Sequence, residues 1–268
     1  MTPFQPSTGK SKRTLARTAV ATTLITLALA GCGGSNTDDD SGGPTGLVPT
    51  APALGATLFN DATVLRPLVV GASWQYAGIA PDGDSYTNAV THTSATPGVT
   101  ESGTNTFDGG AGSVHITAVN GNIIQPDPID ANGDGIVDLA NVIELRSPVR
   151  VNDQIVAIDQ RLSNMLPDVD GDGRAEALDL ATYSRVIGTE EVDLNGPPTQ
   201  QAVRIDRITA ARVVLSKDGQ TLPTVTSTQT VWYAPSLGIV RRRMDQPSET
   251  GIGRDVTDER LTAWAGLP

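Results

Sequence analysis

Apolar and polar positions alternate over short runs along most of this chain, and few stretches repeat at the helical period. Thr, Val and Ile are abundant in those runs, and Gly and Pro punctuate them, which is the pattern of half-buried strands. The alternation predicts strands over 73–78, 85–92, 103–107, 113–120, 140–151, 154–162, 182–193, 201–216, 224–234 and 238–244. Residues 261–264 add a last strand or a short helix. Turn signals separate several runs at Asn152-Asp153, Asn195-Gly196-Pro197-Pro198 and Lys217-Asp218-Gly219, the last being a strong hairpin cue. The expected fold is all-β and mainly antiparallel, a meander forming a curved sheet or open barrel.

Two acidic loops interrupt this pattern. One runs Asp130-Ala131-Asn132-Gly133-Asp134-Gly135-Ile136-Val137-Asp138, the other Asp168-Val169-Asp170-Gly171-Asp172-Gly173-Arg174-Ala175-Glu176. Each places oxygen-bearing side chains at positions 1, 3, 5 and 9, with Gly at 6 where the backbone must bend sharply. Crowded carboxylates repel: a pair 4 Å apart costs about 4 kcal/mol at an effective dielectric near 20. A hard divalent cation removes that cost, and so many flexible oxygen donors suit Ca²⁺ better than Mg²⁺. Position 7 would add a backbone carbonyl, from Ile136 and Arg174, and position 12 is Asn141 in the first loop and Asp179 in the second. A hairpin over 140–162 turning at Asn152-Asp153 would bring both loops to one end, within two or three strand spacings of ~4.8 Å.

The loops resemble those of EF-hands and dockerins, which carry a ligand at position 12 and continue into a helix. They are also similar to FG-GAP-type D-x-[DN]-x-D-G-x-x-[DE] loops, which lie between strands. The residues after the first loop, from Val142 to Val151, alternate and are β-branched. The resemblance therefore implies calcium loops set in a sheet, with Asp138 and Glu176 at position 9 favoured as ligands over position 12. Two copies 38 residues apart are too few and too close for a propeller.

The first 31 residues carry Lys10, Lys12, Arg13 and Arg17, no acid, and an uncharged apolar stretch from Thr18 to Gly31, as a signal peptide does. It closes on Leu29-Ala30-Gly31-Cys32, which resembles the lipobox of bacterial lipoproteins and implies acylation of Cys32, the chain's one cysteine. The resemblance implies a bacterial cell-envelope protein attached through lipid to a membrane. Gly33 in place of Asp favours the outer membrane. Residues 32–53, with Asp38-Asp39-Asp40, have the composition of a disordered tether, which leaves 54–268 as one β-rich domain.

Removing the leader takes four of the 19 basic residues and none of the 30 acidic ones, leaving a net charge near −15. An acidic surface argues against nucleic acid as a partner and against electrostatic binding to anionic lipid heads. His92 and His115 belong to no zinc-binding helix, and no nucleophile elbow or phosphate-binding glycine loop occurs. Both histidines are expected as polar strand positions, and Arg241-Arg242-Arg243 as a solvated edge that discourages strand pairing.

Arg66-Pro67-Leu68-Val69-Val70-Gly71-Ala72-Ser73-Trp74-Gln75-Tyr76 and Trp232-Tyr233-Ala234-Pro235-Ser236-Leu237-Gly238-Ile239-Val240 resemble pieces of uncharacterised bacterial lipoproteins. The likeness implies a fold and an address but no activity. The four aromatics are expected in the core or sheet. The function so indicated is a non-enzymatic, calcium-stabilised envelope lipoprotein that binds an unknown envelope protein or glycan. A calcium-dependent adhesion or polysaccharide-binding module is the alternative, and a hydrolase with metal-supported loops the third class.

Overall fold

The structure, a computed structural model, describes residues 44–106, 109–126, 141–194, 199–248 and 253–268. Its strands are β1 (Thr57–Phe59), β2 (Ser73–Ile79), β3 (Ser85–Ser94), β4 (Val99–Asn105), β5 (Ala111–Val119), β6 (Asn122–Gln125) and β7 (Val142–Leu145). They continue with β8 (Val149–Arg150), β9 (Gln154–Leu166), β10 (Glu176–Val192), β11 (Gln200–Val214), β12 (Val225–Ala234), β13 (Gly238–Pro247) and β14 (Arg254–Ala265). A 3-10 turn, Ala62–Val64, follows β1, capped by the Asp61 carboxylate.

Twelve strands form one antiparallel sheet in the order β7-β6-β5-β4-β3-β2-β14-β13-β12-β11-β10-β9, while β1 pairs with β8 separately. The fold is thus all-β, as the alternation predicted. The sheet curls into a nearly closed barrel, as twisted strands do when one face must be buried. Its two edges, β7 and β9, come into contact without a ladder between them. Arg146 spans the seam, donating to the Gln154 carbonyl at 2.9 Å.

The expected hairpin over 140–162 does not form. β7 pairs with β6, and Val149 and Arg150 are drawn to the N-terminal strand β1 instead. Asn152 does turn the chain, at φ 64°, but it leads into β9, whose partner is β10. Residues 261–264 lie in β14 as strand, not helix. Residues 44–53, inside the segment expected as a tether, hold no strand, yet Thr45 bonds to Asp159 and Arg212, and the Pro49 carbonyl accepts from Gln154.

Core packing sits at one end of the barrel, where Trp74, Tyr76, Leu65, Ile116, Ile205, Tyr233 and Leu261 are fully or almost fully buried. Both aromatic stretches meet there. The Trp74 indole donates to the Leu237 carbonyl at 2.7 Å, and the Tyr76 hydroxyl to that of Ile239 at 2.9 Å. The turn between β12 and β13 that presents these carbonyls uses left-handed backbone at Ser236 and Gly238. A second, smaller cluster of Ile158, Leu162, Leu178, Leu180 and Ala211 stiffens the arm where β9, β10 and β11 extend.

Candidate functional site

The second acidic loop joins β9 to β10 and is the turn of a long hairpin. Its carboxylates are held mostly by main-chain N–H groups. Asp168 accepts from Gly171 at 2.6 Å with one oxygen and from Gly173 at 2.8 Å with the other. Gly171 and Gly173 both lie in the left-handed region, at φ +80° and +83°, which a Cβ would resist. These N–H bonds, Gly173 first, lower the Asp168 pKa from the usual carboxylate value. Glu176, wholly buried as the first residue of β10, accepts from Val169 and Asp170 with Oε1 and from Ser216 with Oε2.

Oxygens of Asp168, Asp170 and Glu176 lie within 4.8 Å of one another. Positions 1, 3 and 9 are therefore brought together. Asp172, at position 5, turns one oxygen to the Ser216 hydroxyl at 2.9 Å and the other to the Arg174 N–H. Asp179, at position 12, stands apart on β10, where Arg161 reaches it at 2.7 Å and Arg212 at 2.9 Å. Burial alone would raise its pKa; the two guanidiniums outweigh that and lower it. Asp130, Asn132, Asp134, Ile136 and Asp138 of the first loop lie outside the described residues, as does Cys32; of the first set only Asn141 is described, at φ 54°.

The donor set fits a hard cation. Each carboxylate oxygen has two lone pairs, and the N–H bonds to Asp168 and Glu176 leave room for a second partner on most of them. Neutral N–H donors soften the repulsion among three carboxylates without cancelling its charge. No lysine or arginine is ion-paired to these three among the described residues. That unneutralised charge is what an ion would meet.

A different concentration of charge occupies the barrel interior, and it carried no motif in the sequence. Arg66 bonds to Glu101 at 2.6 Å and lies 3.4 Å from Glu144. Glu144 is shared with Arg207 at 3.2 Å and takes the Tyr233 hydroxyl at 2.7 Å. On the opposite wall Arg242 meets Glu259 at 2.9 Å. Burial would raise the pKa of Glu101 and Glu144, but Arg66 in both cases, with His92 or Arg207, lowers them instead.

These pairs revise two expectations. Arg241-Arg242-Arg243 is not a sheet edge: β13 lies between β12 and β14, and only Arg243 is exposed. Arg241 is fixed by Asp258 at 2.6 Å and stacks over Trp232 at 4.5 Å. His92 does occupy a strand, but buried, with Nε2 3.1 Å from Glu101 and its ring 4.6 Å from Trp74. The Glu101 and Glu259 partners are 35 and 17 residues from their arginines, so only strand pairing reveals them.

Above the charged floor lies a cavity of about 230 Å³, bounded by β3, β4, β5, β13 and β14 and by Arg66, Glu144 and Arg207. No protein-family model matches the chain, and no curated protein matches it. Two solved structures are similar to it. One is described as a candidate lipoprotein from Parabacteroides distasonis, at 18% identity and a TM-score of 0.44, covering 75% of this chain and 98% of that one. The other is described as a candidate exported protein with a YmcC-like fold from Bacteroides fragilis, at 14% identity and a TM-score of 0.38 over the same shares.

Proposed function

We propose that this chain is a lipid-anchored, non-enzymatic protein of the bacterial cell envelope, whose β-domain binds a ligand or partner and whose 168–176 loop takes up Ca²⁺. The observation that carries the calcium reading is the convergence of Asp168, Asp170 and Glu176 oxygens within 4.8 Å. Its all-oxygen chemistry is that of a calcium site, not of zinc or copper. The address rests on the Leu29-Ala30-Gly31-Cys32 lipobox, with Gly33 favouring the outer membrane. Attachment to a membrane is through lipid on Cys32.

Position gives the ion its role. Glu176 begins β10, and Ser216 and Lys217, which bond to Glu176, Asp170 and Asp172, follow β11. An ion in the loop would join the ends of β9, β10 and β11, stiffening an arm whose own apolar cluster is small. At ten times its Kd, one site adds about 1.4 kcal/mol. For a domain of this size that is roughly 3–6 °C in Tm. A chelator is expected to lower the melting temperature of the calcium-loaded protein by that amount or more. The double variant Asp168→Asn, Asp170→Asn is expected to show a smaller drop. A melting curve that chelator leaves unmoved would overturn the structural role.

A further inference from the structure

We propose that the barrel lumen is a binding site for one small, uncharged, polyhydroxylated molecule of monosaccharide or inositol size. This names the ligand class for the binding role proposed above and does not depend on calcium.

The lumen has been kept open at positions where closing it would be easy. On the inner face of β4 and β5, Gly103 pairs directly with Gly112. A Cβ on Gly103 would meet nothing nearer than 3.7 Å, and its backbone is not left-handed. Neither packing nor conformation demands glycine there. What it provides is space, against a wall whose next inward residues are Glu101 and Asn105. Gly78 is the contrast: a Cβ there would fall 2.4 Å from the Tyr86 ring, so close approach explains that glycine. At about 230 Å³ the lumen lies below the ~300 Å³ at which drug-sized pockets begin. It suits a single ring, not a chain of them.

Charge decides the class. The cavity is lined by Arg66, Arg207 and Arg242 and by Glu101, Glu144 and Glu259, three of each sign and already paired. A ligand carrying net charge would find no uncompensated partner, and breaking a buried pair to make one is costly. Hydrogen-bonding capacity nevertheless remains. Asn88 reaches Glu259, and Gln125 reaches Glu144, only at 3.4 Å, beyond the usual 2.7–3.2 Å for such bonds. Arg66 Nε, at the floor, is likewise only loosely held, 3.4 Å from the Glu144 carboxylate. Hydroxyl groups both donate and accept. They can take an amide or guanidinium N–H and give a proton to a carboxylate lone pair at once, so a polyol matches this mixed wall without disturbing its charge.

The test uses the full-length lipidated protein in detergent, with D-glucose, D-galactose and myo-inositol as probes and D-glucuronate and D-glucosamine as charged counterparts. Titration calorimetry and thermal shift are run with calcium and with chelator. At least one neutral probe is expected to bind saturably, about tenfold or more tighter than the charged ones. Gly103→Leu, which fills the lumen, is expected to abolish binding. Gln125→Ala, at an only half-buried position, is expected to weaken it about tenfold whether or not the leucine variant folds. Tighter binding of a charged probe would overturn the class while leaving a binder. No binding by any probe would overturn the lumen site, and either result leaves the calcium effect on melting to be judged separately.

Discussion

At the tip of the long hairpin, Asp168, Asp170 and Glu176 crowd together with main-chain N–H groups for company, whereas inside the barrel Glu101, Glu144 and Glu259 each face a guanidinium. The first cluster is left with negative charge; the second is balanced within itself. A cation therefore has something to gain at the loop and nothing in the lumen, while a neutral molecule has hydrogen bonds to gain in the lumen. The two regions also differ in how they are built. Nine consecutive residues supply the loop, but the lumen's contacts join positions far apart in the chain, 89 residues for Glu144 and Tyr233 and 171 for Asn88 and Glu259.

Breaking the lumen's balance should have the largest effect. Glu144→Gln removes the charge shared by Arg66 and Arg207, both largely withdrawn from solvent. Stripping one partner from such a buried set costs about 3–5 kcal/mol. Chemical denaturation should show that loss against the parent, and the calcium-dependent shift in Tm should persist, because the loop is untouched. A loss below 1 kcal/mol would mean the pairs contribute little.

Acid should act on the lumen next. Glu101 and Glu144 are held below the usual glutamate value of about 4.3, chiefly because Arg66 outweighs the raising effect of burial. The unfolded chain then binds more protons than the folded one as pH falls. Their contribution is fully present above about pH 5 and is lost as the pH drops through the lowered folded values. Stability measured at constant calcium should hold from neutral pH down to about 5 and decline below 4. In Glu144→Gln that decline should be shallower, and an equal slope would contradict the assignment. The calcium increment of about 1.4 kcal/mol per site is the smallest of these effects.

The contrast also explains what could be read in the chain. Alternation gave the strands because sheet burial is a local, period-two property, and the acidic loop was visible because its spacing is its chemistry. Position 9 joining positions 1 and 3, with Asp179 turned to Arg161 and Arg212, followed the strand context. The 140–162 hairpin failed because Asn152-Asp153 marks a turn without saying which strands it joins, and β1 claimed Val149 and Arg150. Four-residue β6 was too short to stand out. Arg242 looked like a solvated edge because Glu259, its partner, is visible only once β13 and β14 are paired. Glu144 lay in an expected strand, Glu101 just outside one, and Arg66 at the head of the first aromatic stretch, and none of the three carried a signal of the charged cluster they form.

Calorimetry of the purified, calcium-stripped full-length protein titrated with CaCl₂ tests the central claim most directly, beside the double variant Asp168→Asn, Asp170→Asn. The parent should give saturable heat with a Kd near the ~10⁻⁴ to 10⁻³ M of extracellular calcium modules, and the variant should lose the part that belongs to this loop. No saturable heat in the parent, or a titration the variant reproduces in full, would contradict it.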